Sequence, residues 1–150
     1  MRPLMIPALL LLACCSLQQA GKSNLPEPTI ELNQLSRVVD PTHNMTGPLS
    51  IQFQVTITNN ATQPIELRRV ELQSIGFGSY NVSATHPFQT TIAPGATESV
   101  SFWASGSIDN SSMNGANGPV TLRASLQFES AAGGFQSTVI RSVNRQGSGD

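Results

Sequence analysis

A chain of 150 residues with a formal net charge of -1 and only 11 % charged residues is sized for one domain, two at most. It has no basic surplus with which to neutralise a phosphate backbone, so nucleic acid is not an expected partner. Nor does any acidic block mark a solvating tail, and the polarity comes mostly from Ser, Thr, Asn and Gln.

The first residues carry one positive charge, Arg2, followed by an apolar run from Leu4 to Ala13. A membrane span needs about 20 apolar residues, so this run reads as the core of a signal peptide covering residues 1–13. It ends in Leu11-Leu12-Ala13-Cys14, with an aliphatic residue three before the Cys and a small one directly before it. That pattern resembles the lipobox of bacterial lipoproteins, although Leu12 is bulkier than the usual residue at its position. The resemblance implies cleavage after Ala13 and thioether lipidation of Cys14. It also implies a palmitate-type acyl chain and a cell-envelope location. Cys15, rather than Asp, occupies the position after the lipidated Cys, which leans towards the outer membrane, facing the periplasm. The only two Cys residues are this adjacent pair, so the remainder of the chain has neither a framework disulfide nor a Cys-based metal site. Stable anchoring takes more than one acyl chain, each buried methylene contributing about 0.8 kcal/mol.

Residues 14–28, from the lipidated Cys to Pro28, read as a flexible tether. The stretch is polar, contains Pro26 and Pro28, and has no apolar period. Extended, the roughly dozen residues from Ser16 to Pro28 reach about 40 Å at ~3.3 Å per residue. The folded part is expected over 29–145, with 146–150 as a disordered tail.

Within the folded part the apolar period is two. Thr29 to Leu32 begins a first strand. Ile51, Phe53, Val55 and Ile57 alternate with Gln52, Gln54, Thr56 and Thr58, the mark of a half-buried strand. Asn59 to Pro64 is a turn by composition. Ile65 and Leu67, then Val70 and Leu72, form the next strand, with a parity slip at Arg68-Arg69 that predicts a β-bulge. A short strand is expected over Phe88 to Ile92. Pro94-Gly95 turns the chain into Val100, Phe102 and Ala104. Val120 to Phe128 is the longest alternation, Gly133-Gly134 permits a tight hairpin, and Phe135 to Val143 returns. About seven strands at this spacing predict an all-β fold, an antiparallel immunoglobulin-like β-sandwich.

Three features in series are shared with a known family: Ile51 to Asn60, a strand ending in Asn; Gln63-Pro64-Ile65-Glu66-Leu67, a Pro turn leading into a second strand; and Ile92-Ala93-Pro94-Gly95 ahead of Val100 and Phe102. In this the chain resembles the late-embryogenesis-abundant type 2 (water-stress) domain and its bacterial lipoprotein relatives, and almost equally fibronectin type III-like modules. The resemblance spans about residues 29 to 143. It implies a non-enzymatic structural, binding or stress-related role and carries over no catalytic residue.

Few residues suggest chemistry. His43 and His86 both read as residues of Pro-flanked turns, and Asp40 with His43 lacks a third metal ligand. No nucleophile elbow, phosphate-cradling Gly loop or His-Glu-x-x-His run occurs, so no catalytic residue, metal or cofactor is expected. Asn44, Asn60, Asn81 and Asn110 match the N-glycosylation pattern and read as turn chemistry in a bacterial protein. The Gly- and Asn-rich 106–119 stretch is the expected contact loop. Phe77, Tyr80 and Trp103 are the candidate apolar anchors, Trp103 standing on the face opposite Val100, Phe102 and Ala104. The expected partners are the membrane, through the N-terminal lipid, and an envelope protein. A small-molecule or polysaccharide ligand held by the loop and exposed aromatics is the alternative.

Overall fold

Alternation along residues 51–58 settles one strand, because one face of it must be withdrawn from water. In the computed structural model, Ile51, Phe53, Val55 and Ile57 are all buried while the residues between them are half-exposed. The structure describes residues 26–36, 49–76, 78–108 and 118–144. The strands are β1 (Thr29–Gln34), β2 (Leu49–Thr58), β3 (Ile65–Ile75), β4 (Tyr80–Ile92), β5 (Thr97–Ile108), β6 (Val120–Ser130) and β7 (Gly133–Val143). The proposed signal peptide, Cys14 and most of the tether lie outside the described residues, as do Asp40, His43, Phe77, residues 109–117 and the tail.

All neighbouring strands are antiparallel, in the order β1-β2-β5-β4-β3-β6-β7. β4 and β5 pair only from Tyr80↔Ile108 to Ser83↔Ser105. Beyond that short ladder the two strands diverge. The nearly closed sheet thus folds over on itself into a sandwich, β1-β2-β5 against β4-β3-β6-β7. Their inner faces meet in one apolar core that includes Leu32, Phe53, Leu72, Val100, Leu122 and Leu126. Each fully buried side chain of this size contributes about 1.5–3 kcal/mol. Phe102 of β5 touches both layers, with ring centroids 6.2 Å from Phe53 and 6.2 Å from Phe88.

Gly106 sits where β5 serves two neighbours. Its backbone pairs with Leu49 on one side and Val82 on the other. A Cβ there would stand 2.6 Å from the Asn81 carbonyl oxygen, so only glycine permits the approach.

The β-bulge falls between Leu67 and Arg69, where the parity slips. It leaves Arg68 and Arg69 both exposed. Arg68 spans Glu66 (2.9 Å) and Glu129 (2.6 Å) on the outer surface.

β4 corrects the expected short strand, since it runs from Tyr80 rather than Phe88. Its inward residues include Ala84, His86 and Thr90 as well as Tyr80, Val82 and Ile92, so the apolar signal fades mid-strand. Those residues line the diverging side of the sandwich, where burial is partial. His86 accordingly lies inside a strand, not in a turn. Pro87 is tolerated there because β4 has lost its β5 partner at that level and pairs β3 next to the bulge. The start of the expected 106–119 loop also belongs to a strand, as β5 continues to Ile108. The last hairpin is tight, with Ser130 paired to Gly133 across Ala131 and Ala132, and Gly133 has a φ of 113°.

Asn59 closes one end of the sandwich. It is 1 % exposed, yet its side chain is fully used. Nδ2 donates to the carbonyls of Gln63 (2.9 Å) and Ile92 (3.0 Å), and Oδ1 accepts from the Ala61 amide (2.9 Å). Its backbone amide and carbonyl bond Ala96 and Gly95. The strand-ending Asn thus joins the Pro64 turn to the Pro94-Gly95 turn. Next to it, Asn60 Nδ2 donates to the Glu27 carbonyl (2.9 Å) and Thr29 Oγ1 (3.0 Å), pinning the start of β1.

Candidate functional site

Trp103 is placed by β5 alternation. Val100, Phe102 and Ala104 point inward, which turns Trp103 out of the opposite face, 54 % exposed. Its register partner is Gln52. On the other side of Gln52 the β1 backbone continues, and the Leu35 amide donates to the Gln52 carbonyl at 2.8 Å. Leu35 is 49 % exposed on the same outer face. Leu35, Gln52 and Trp103 therefore form one row across three strands. The row beside it is Asn33, Gln54 and Ser101.

The position of Trp103 is held from behind. His86 Nε2 lies 2.7 Å from the Trp103 carbonyl oxygen, and since a carbonyl only accepts, Nε2 is the protonated nitrogen. This contact replaces a ladder bond at the level where β4 and β5 have parted. The His86 ring also packs on Phe102, with centroids 5.0 Å apart.

Tyr80 corrects the expectation of a surface anchor. It is fully buried, and its hydroxyl donates to Gln34 Oε1 at 2.6 Å. Gln34 Nε2 in turn donates to the Ser36 carbonyl at 2.7 Å. The first residue of β4 points inward, so its ring belongs to the core and is not presented to a partner. Burial raises the phenol well above its usual pKa. Nearby, Ser79 Oγ is buried and forms no hydrogen bond with any described residue.

The outer surface of the other layer is more charged. Gln73, with its amide oxygen turned towards β6, accepts from the Arg123 guanidinium. Both border a polar cleft of about 100 Å³ together with Glu71, Ser83, Thr85 and Ser125. Among the described residues, no group of three or more His, Cys, Asp or Glu side chains gathers to hold a metal ion.

Of the three anchors expected from sequence, then, only Trp103 is at the surface among the described residues, since Phe77 lies outside them. Leu35 and the amides of Asn33, Gln52 and Gln54 were missed. Alternation of β1 and β2 could have put them on an outer face, but only strand register brings them beside Trp103.

No family model matches the sequence, and no curated protein matches it. Solved structures share the fold. One is a structural genomics target, SoR45, at 10 % identity and a TM-score of 0.51, covering 78 % of this chain and 84 % of that one. Another is a solution structure described as a late embryogenesis abundant protein, at 15 % identity and a TM-score of 0.50. That match covers 83 % of this chain and 74 % of the other. At these identities the likeness is one of fold.

Proposed function

We propose that the chain is a lipid-anchored, non-catalytic β-sandwich module of a bacterial cell envelope, tied to the membrane through Cys14 and acting by contact with an envelope protein, in a structural or stress-related role. The observation that carries this reading is the N-terminal order of Arg2, an apolar core too short to span a bilayer, Ala13 and Cys14, with no Cys after Cys15. The fold supports it. Asn60 pins the chain at Glu27 and Thr29, which is in line with a folded body starting there. Its fold is like that of a structure described as late embryogenesis abundant, which is in line with the stress-related part of the reading. An outer-membrane location, facing the periplasm, is inferred from Cys15 occupying the position after the anchor.

Metabolic labelling with a clickable fatty acid tests the anchor. Wild-type protein should take up label and partition with membranes, and Cys14→Ser should do neither. Label persisting in Cys14→Ser overturns the assignment. Affinity capture from solubilised membranes should recover one protein in stoichiometric amount, and recovery of none overturns the contact role.

A further inference from the structure

The outer face of the β1-β2-β5 layer is unusual in what it lacks. Among its described outward-facing residues, Glu31 is the only ionisable one, and the rest are Ser, Thr, Asn and Gln apart from Leu35 and Trp103. The two apolar side chains share one row, with Gln52 between them. Neighbouring strands lie about 4.8 Å apart, so Leu35 and Trp103 stand roughly 10 Å from one another. Hydroxyls further along this face are paired among themselves, Thr56 with Ser99 (2.9 Å) and Thr58 with Thr97 (2.8 Å). The side-chain amides of Asn33, Gln52 and Gln54 form no hydrogen bond with any described residue, and each is only half-exposed. The Trp103 ring stacks on no other described ring, while the His86 contact fixes its backbone from behind.

We propose that this face is a binding platform for an uncharged polysaccharide, with Trp103 as the stacking plane and the amides of Gln52, Gln54 and Asn33, from its own row and the next, as the hydrogen-bonding groups. A pyranose has an apolar face of C–H groups and a rim of hydroxyls that both donate and accept. A flat indole matches the first, and a primary amide, with its two donors and one accepting oxygen, matches the second. The spacing of the apolar pair is about twice the length of one pyranose, so it suits alternate sugar units of an extended chain. A face without cations offers nothing to a polyanion, and one without a continuous apolar patch offers little to a hydrophobic protein surface. An open sheet face takes a polymer lying across it rather than a small molecule enclosed in a pocket. The platform stands independently of the lipid anchor, and either can fail without the other.

Trp103 is the only tryptophan, so intrinsic fluorescence reports this face alone. The full chain, purified in a detergent without a sugar headgroup, is titrated with cellohexaose and with chitohexaose. A saturable blue shift with at least one of them is expected. Retention on insoluble cellulose or chitin gives a second measure that works without the indole. Trp103→Ala should weaken retention about tenfold, the equivalent of one aromatic stacking contact. The Gln52→Ala/Gln54→Ala double variant should weaken it several-fold. Ile140→Ala, which removes an equally exposed apolar side chain from β7, should leave it unchanged. No shift with either oligosaccharide at millimolar concentration overturns the proposal, as does retention that survives both the Trp103 and the double Gln variants. A blue shift that grows with protein concentration in the absence of sugar, accompanied by dimers in sedimentation, also overturns it and assigns the face to a second copy of the chain.

Discussion

The Tyr80 hydroxyl donates to Gln34 Oε1 at 2.6 Å across 46 residues of sequence, and both side chains are buried. This single bond ties the start of β4 to the end of β1, one strand from each layer. Removing the hydroxyl leaves the Gln34 oxygen buried without its donor, and an unsatisfied buried group costs about 1–3 kcal/mol. Tyr80→Phe is expected to lose that much in urea denaturation, with an unchanged denaturant slope because the core stays filled.

The same burial makes stability depend on alkaline pH. The folded state holds the phenol neutral to a higher pH than the unfolded chain does. The contribution is therefore fully present below the unfolded value of about 10 and declines as pH rises past it. Tyr80 is the only tyrosine, so tyrosinate absorbance reports it alone. The absorbance is expected to appear together with unfolding, and a titration completed near pH 10 with the fold intact would contradict a buried phenol.

Asn59 is the most heavily engaged polar side chain in the core. Asn59→Ala strips partners from the Gln63 and Ile92 carbonyls and from the Ala61 amide in one change. The expected loss is about 2–3 kcal/mol, read as a lowered denaturation midpoint. Amide exchange should accelerate first around Ala61 and Ala96, the two turns that this residue joins.

Gly106→Ala tests the corner. The new methyl group would meet the Asn81 carbonyl, a backbone atom that cannot swing aside, and overpacking of this kind costs about 1–3 kcal/mol. Exchange should rise along Tyr80 to Ser83, where β4 pairs with β5, and remain slow where β3 pairs with β6.

Arg68 supplies the contrast. It makes two close ion pairs, but its side chain is 43 % exposed and Glu129 is 56 % exposed. Such pairs contribute about 0–1 kcal/mol, so Arg68→Ala should shift the midpoint little, and less still at high salt. A loss comparable to that of Asn59→Ala would show that the bulge itself depends on the guanidinium.

Alternation made most of the fold legible. Ile51 to Ile57 and Val120 to Phe128 each declare which face is buried, and the slip at Arg68-Arg69 marks the bulge, because both are consequences of the two-residue repeat. β4 was half hidden for the same reason. Its inward positions carry Ala, His and Thr along the diverging side, so there was little apolar repeat to read. Tyr80 was misplaced because it follows Gly76, Gly78 and Ser79, which carry no apolar repeat to show that its ring turns inward. The exposure of Trp103 followed from parity within one strand. Its company did not, since Leu35 and the amides beside it come from β1 and β2, and no local pattern states which residues register brings alongside.

The sandwich begins at Thr29 and ends at Val143, and the antiparallel registers put these residues at opposite ends. Thr29 lies level with Thr58, Ile65 and Gly133, while Val143 lies level with Val120 and the far ends of β2 and β5. A pull between the two points runs along the strands, across hydrogen bonds that stand perpendicular to them. The bonds joining β1 to β2 would have to give way in shear, together, rather than peel apart one after another. A body loaded in that direction withstands mechanical force far better than one opened from a single end.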